Sequence, residues 1–475
     1  MSDLWSEQRK PFCLFGRSDY TLRMNLLDPL FRSPAVDAVF SDRATLQGML
    51  DFEAALARAE ARVGVIPQAA ATAIASKCRA ELFDAAAIAQ AAARSGNLAI
   101  PLAKHLTALV GKDDKQAAHF VHWGATSQDA IDTGRILQLR SAFDLISRDL
   151  DSLAQPFGEL AQKHRSTLIA GRTWMQQALP TTLGAKIAGW LDALVRHKWR
   201  FAETRTRCFV LQFGGAVGTL AALGSRGPDV ASMLAAELSL GLPDIPWHSH
   251  RDRMAEIGMT LGLCAGTCGK IARDISLHMQ SEVAEIFEPA GEGRGGSSTM
   301  PHKRNPVSSA VMLAAAVRVP GLLSSLLAAM PQEDERGLGG WHAEWEVLPD
   351  IVQLTAGAIH QLATIAPGLE IDATRMRKNL EITHGLIFAE AVTMALGEKI
   401  GKPRAHELVE AACKRALREK RELRTILSAV PKVNAHLSVA DLDKLFDPRN
   451  YLGAAEEYVY RVVAASRGKI PAGEE

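Results

Sequence analysis

Three runs of apolar residues between positions 136 and 278 recur at spacings that alternate three and four without a miss. The first is Ile136, Leu139, Phe143, Ile146, Leu150 and Leu153. The second is Leu183, Ile187, Trp190, Leu194, His197 and Phe201, and the third runs from Met254 through Ile257, Leu261, Cys264, Cys268, Ile271 and Ile275 to His278. This spacing puts one narrow apolar stripe along one side of a helix, and such stripes pack at shallow angles into bundles. Alanine and leucine are abundant and aromatic residues make up only 6% of the chain, so helix is favoured over strand almost everywhere. Bundle helices of roughly 25–40 residues exceed what one compact domain needs, and narrow stripes of this kind continue into neighbouring subunits. The expectation is an all-α homo-oligomer whose shared core is a helix bundle. On these stripes His197 and His278 read as hydrogen-bonded core residues, and Cys264 and Cys268 as core rather than half a metal site.

At 475 residues the chain has room for about three domains. A first helix is expected from Ser41-Asp42, with Leu46, Met49, Leu50, Leu56 and Val63 on its apolar face and Gly64 and Pro67 ending it. Shorter helices fill residues 68–110, and the polar run Gly111-Lys112-Asp113-Asp114-Lys115 closes a first domain. The layout that follows is a helical domain over 24–115, a bundle domain over 116–375 and a C-terminal helical domain over 376–475. Residues 1–23 read as a loose arm, or else Met24 is the natural start. The 54 Lys and Arg against 53 Asp and Glu leave a net charge of +1, with no global pull on nucleic acid. The six scattered cysteines form no CxxC pair, which suits a reducing, cytoplasmic setting. No apolar run is expected to span a membrane, and no signal-peptide layout opens the chain. Gly214-Gly215-Ala216-Val217-Gly218 lacks the βαβ context of a dinucleotide loop.

Polar chemistry gathers in four places. His122-Trp123-Gly124-Ala125-Thr126-Ser127-Gln128-Asp129 has capping-box spacing from Thr126 to Asp129, but capping leaves His122, Ser127 and Gln128 without a reason. A second cluster, from Gly171 to Thr182, precedes the Leu183 stripe. The third is Gly295-Gly296-Ser297-Ser298-Thr299-Met300-Pro301-His302-Lys303-Arg304-Asn305-Pro306. There Asn305-Pro306 reads as an N-cap followed by proline at the first helical position, so the loop would deliver cations and hydroxyls onto a helix N-terminus suited to a carboxylate. Composition alone leaves that loop open between an anion site and a solvated linker. The fourth, from Gln332 to Glu346, is dense in acids and tryptophan; an exposed acidic loop accounts for the acids but poorly for Trp341 and Trp345.

Together these clusters resemble the fumarase/aspartase superfamily. Gly296 to Pro306 matches its signature loop, G-S-S-x-M-P-x-K-x-N-P, at every fixed position. The H-x-G-A-T-S-x-D run at 122–129 and the T-x-x-Q-x-A-x-P-T-T run at 173–182 are similar to its other two motif regions. The resemblance covers the chain from about residue 25. It implies an all-α, three-domain fold, a homotetramer built on the central bundle, active sites shared by three subunits, and no metal or organic cofactor. It also implies that Ser297 exchanges a proton at the carbon next to a carboxylate. Lys303 and Asn305, with Thr126 and Ser127, would bind carboxylate oxygens, Gln176 would supply an amide, and Arg336 would pair with a further carboxylate. His122 would orient substrate or shuttle a proton, although a capping or structural role fits it equally, and His302 would stand behind the site.

One departure narrows the reaction. Many members carry a histidine after the threonine of the second motif, where it protonates the leaving amine or hydroxyl; here that position is Trp174. Removing a general acid costs about 10²–10⁴-fold when the leaving group needs a proton. A carboxylate leaving group needs none. Trp174 and the run from Leu338 to Glu346 resemble the superfamily's bacterial 3-carboxy-cis,cis-muconate cycloisomerases. That resemblance implies lactonisation of a small tricarboxylate in the protocatechuate branch of aromatic catabolism. Adenylosuccinate lyase or another C–N lyase is the alternative enzyme, and a crystallin-like structural protein the alternative of another class.

Overall fold

In the computed structural model, which describes residues 26–291 and 293–468, each apolar stripe lies on one long helix, except that Leu153 stands just past the end of the first. The proposed arm and alternative start fall outside the described residues. Helix α1 (Asp42–Val63) begins where Ser41 Oγ accepts the Ala44 N–H at 3.3 Å, and it ends at Gly64 in the left-handed region, φ 78°. Helices α2 (Gln68–Lys77) and α3 (Ala99–Asp113) follow, so the polar break starts at Asp114 and Gly111 still belongs to a helix.

The bundle consists of α4 (Ser127–Ser152), α6 (Leu183–Cys208), α7 (Asp252–His278), α8 (Val307–Ala328) and α9 (Gly340–Ile365), with α5 (Ala154–Lys163) packed on α6. Cys264 and Cys268 are fully buried in its core. His197 Nε2 lies 2.7 Å from Thr267 Oγ1, and burial pushes its pKa down to about 4, so it is a neutral core residue as expected. Helix α1 crosses α4 in backbone contact: a Cβ on Gly48 would sit 2.8 Å from the Gly134 carbonyl oxygen. That contact brings the carboxylates of α1 against the first polar cluster.

Two departures from the sequence reading matter for the site. Between α5 and α6 the second cluster forms an antiparallel hairpin, β1 (Leu168–Thr173) and β2 (Gln176–Thr182), where only polar residues before a helix were read. Its buried residues are few, Ile169, Ala170, Pro180 and Thr182, too few for a period-two signal. Helix α8 is the second: by length and composition it could cross a membrane, with a mean hydropathy of 1.8. It packs between α7 and α9, yet only 28% of that apolar window is buried. Val317 is 77% exposed. Its composition is that of a bundle helix with one face left over.

After the bundle, β4 (Glu370–Ile371) pairs with β3 (Ile286–Phe287), and α10 (Ala373–Asn379) leads into the C-terminal region. Val392, Leu396, Val409, Leu427 and Leu442 form a separate small core there, around α11 (Lys402–Glu419) and its neighbours. The last helix, α12 (Ala455–Arg467), leaves that core and packs Val459 and Val463 into the main one, against α5 and α6.

Candidate active site

The first cluster is a tight turn leading into α4. His122 has φ 58° and Gly124 φ 68°, left-handed values that cost a non-glycine residue energy unless its surroundings hold it. The imidazole is held: its Nδ1 lies 2.5 Å from Oε1 of Glu53 on α1, a side chain only 3% exposed. Burial would lower the His122 pKa, but the Glu53 charge and hydrogen bond, with Asp129 behind, outweigh it and raise the pKa above the usual histidine value. Nε2 has no partner among the described residues.

Asp129 pins this turn to two distant loops. It accepts the Thr126 N–H at 2.9 Å, the Gly214 and Gly215 N–H groups at 3.0 Å each, and pairs with His248 Nε2 at 2.7 Å. The glycine run that lacks a nucleotide context is thus a backbone cradle for a carboxylate of the same chain. One turn along α4, Asp132 takes Arg251 Nη1 at 2.7 Å, Arg251 Nη2 reaches Glu344 at 2.6 Å, and Trp341 Nε1 donates to Asp132 at 3.0 Å. The acidic, tryptophan-rich fourth cluster is therefore the start of α9, with Trp341 and Glu344 buried in a charge network. Just before it, Arg336 donates from Nη1 to Thr126 Oγ1 at 3.0 Å and from Nη2 to the Ala216 carbonyl at 2.9 Å. Its Nε is buried and has no partner.

The Gly/Ser-rich loop closes on itself: Asn305 N–H donates to the Gly295 carbonyl at 2.8 Å, with Gly295 at φ 64°. Within it Ser297 Oγ accepts two backbone N–H groups, from Thr299 at 3.2 Å and Met300 at 3.0 Å. Two donors on one hydroxyl oxygen favour its anion. Helix α8 begins one residue later than expected. Val307 is its first residue and Pro306 takes the cap position, with Asn305 outside. Its end is also filled: buried Glu288 accepts the Ser308 N–H at 3.1 Å and the Ser309 N–H at 2.7 Å. The helix terminus therefore does not offer those donors to a ligand; of the loop's own groups Lys303 is exposed, while Ser297 and Asn305 are half-buried.

The hairpin presents the second cluster. Trp174 and Met175 fill a two-residue turn at φ 50° and 66°, positions that normally go to Asn-Gly, and they are 97% and 75% exposed. Gln176 beside them is exposed as well. The base is rigid, because Arg172 binds Glu285 through two bonds of 2.8 and 3.0 Å, Asn379 donates to Glu285 at 2.7 Å, and His278 Nδ1 lies 2.7 Å away. Burial alone would raise the Glu285 pKa, but these donors bring it down to about 2.

Comparison with known proteins settles the lineage. A family described as lyase matches residues 31–321, and one described as adenylosuccinate lyase C-terminus matches residues 385–462. The chain belongs to the lyase family, the fumarase/aspartase superfamily. It is 57% identical to the 3-carboxy-cis,cis-muconate cycloisomerase of Pseudomonas aeruginosa over 92% of this chain and 96% of the relative. The enzyme of that name from Bradyrhizobium diazoefficiens is 55% identical, over 92% and 97%. The crystal structure of the 3-carboxy-cis,cis-muconate lactonizing enzyme from Pseudomonas putida superposes with a TM-score of 0.88 at 54% identity, covering 93% of this chain and 98% of that one.

One copy of this lyase brings together His122, Thr126, Ser127 and Arg336. Ser297, Lys303 and Asn305 stand on a separate loop, and Gln176 on the hairpin; among the described residues none hydrogen-bonds to the first group. Glu53, His248, Arg251 and Glu288 escaped the sequence reading. Each meets its partner across 20 to 119 positions of chain, and although His248 and Arg251 share the polar run His248-Ser249-His250-Arg251-Asp252-Arg253, only Glu344 lay inside a cluster that was singled out.

Proposed function

We propose that this lyase is a 3-carboxy-cis,cis-muconate cycloisomerase, acting as a homotetramer in the cytoplasm without metal or organic cofactor. In the lactonising direction one substrate carboxylate oxygen forms a bond to an alkene carbon. The π pair moves to the neighbouring carbon and is held as an aci-carboxylate, and that carbon then takes a proton from Ser297 Oγ. Addition within one molecule leaves positioning and charge stabilisation as the main catalytic tasks. Three ionised carboxylates enter and two leave beside the new ester, so one proton is taken up from water per turnover near neutral pH.

The observation that carries this reading is Trp174 at the hairpin tip of a chain so similar to the cycloisomerases. An indole cannot protonate an amine or hydroxyl leaving group, and this reaction has none to protonate. The division of the motif residues supports shared sites: His122, Thr126, Ser127 and Arg336 come from one copy, the Ser297 loop and the Trp174–Gln176 tip from others. The exposed apolar faces of α7 and α8, with Leu263 50% and Val317 77% exposed, suit tetramer formation.

The test follows the fall in diene absorbance when purified protein meets 3-carboxy-cis,cis-muconate. Wild type turns over with proton uptake, and Ser297→Ala loses at least about 10²-fold in kcat with an unchanged melting curve. Fumarate release from adenylosuccinate, without lactonisation, would instead mark a C–N lyase.

A further inference from the structure

Two buried carboxylates on α1 lie outside every motif. Glu53 contacts His122 Nδ1 at 2.5 Å through Oε1, while its Oε2 is buried with no partner. Glu60, two turns along the same helix, is fully buried with neither oxygen partnered. A carboxylate shut away from water needs a counter-charge. For Glu53 the described residues offer one, the imidazolium of His122.

The other ionisable groups around the pair are already committed. Burial and then the Glu53 charge push Glu60 up to about 9, so Glu60 holds its proton at neutral pH. Cys78, at the end of α2, is pushed up by burial and stays a thiol. On α4, Asp129 is saturated by three N–H groups and His248, and Arg336 reaches Thr126 from the loop before α9. Arg58, on α1, is paired with Glu237.

We infer that Glu53 is a positioning residue of this enzyme: it holds His122 as an imidazolium, Nδ1–H donated to the carboxylate and Nε2–H turned to the substrate carboxylate that becomes the aci-carboxylate. The left-handed backbone at His122 aims the ring at α1, and its side chain keeps 19% of its surface open. A charged donor at that oxygen binds the intermediate, which carries an additional negative charge, more tightly than the substrate, as transition-state stabilisation requires. Ser297 still makes the carbon–hydrogen bond, so atoms and charge balance as in the reaction above. The inference rests on the cycloisomerase reading.

Glu53→Gln separates charge from geometry, because the amide oxygen can still accept the Nδ1–H. The expected result is a kcat against pH profile whose alkaline limb moves to lower pH. Activity at pH 8 then falls about tenfold relative to that at pH 6, while KM and the melting temperature change little. Glu53→Asp should recover part of the alkaline activity. Nitrogen-15 spectra of the imidazole should show His122 protonated to higher pH in wild type than in Glu53→Gln. Superimposable pH profiles, or a His122 titration indifferent to Glu53→Gln, would overturn the inference. If wild type fails to lactonise carboxymuconate, the cycloisomerase reading falls, and the spectra still decide whether Glu53 sets the His122 charge.

Discussion

In the proposed reaction Ser297 and Trp174 divide the chemistry between them, and neither does so by its own reactivity. A serine hydroxyl gives up a proton poorly until donors surround the oxygen left behind, and Thr299 and Met300 already supply two. Trp174 works by what it cannot do. Trp174→His is therefore expected to leave lactonising kcat unchanged or lower in the absorbance assay, since no leaving group waits for a proton; a gain of several-fold would count against the mechanism. Glu60 makes a prediction about stability. Its pKa stands at about 9 in the folded protein against an ordinary value of 4.5, so the native state holds a proton that the unfolded chain releases. Stability is then lost as pH rises from 4.5 towards 9, by up to about 1.4 kcal/mol per pH unit. Glu60→Gln keeps the shape and removes the proton, so it should melt above wild type at pH 8 and together with it near pH 5.

Helix ends and hairpins show how local signals were overruled by distant residues. Asn305-Pro306 has good N-cap chemistry, yet α8 is capped by Glu288 from the strand side of the loop, which also receives Ser309 Oγ at 2.8 Å. A full carboxylate on two N–H groups outcompetes a neutral amide at a helix N-terminus. Glu288→Ala should cost about 1–3 kcal/mol in denaturant unfolding, and it should loosen the Gly/Ser-rich loop, read as faster proteolysis between residues 291 and 305. By contrast the capping of α1 by Ser41, its stop at Gly64 and the Thr126–Asp129 pair were legible, because cap and helix are neighbours in sequence. The hairpin was not, because its stability comes from Arg172, Glu285 and Asn379, whose contacts span 113 and 94 positions.

A single copy leaves its most apolar bundle helix largely uncovered and its catalytic motifs apart. Both follow if copies pair through α7 and α8 so that the loop of one faces the turn at His122 of another. Val317→Lys places a charge on the open face of α8, 77% exposed in one chain. It should reduce the sedimenting mass below that of the wild-type protein and abolish turnover together, with the helical circular dichroism retained. A fully active monomer would remove shared sites from the account.

The long bundle helices, the signature match of the Gly/Ser-rich loop and the absence of the usual histidine were written in the sequence alone. They depend on residue spacing and residue type within short segments, and a stripe of period three and a half has one way to be buried. Which charges face which was decided by the tertiary structure. Glu53 meets His122 because α1 and α4 cross at Gly48 and Gly134, and Glu288 reaches α8 because β3 ends beside it. An isolated acid on a helix carries no mark of its partner until packing removes the water between them.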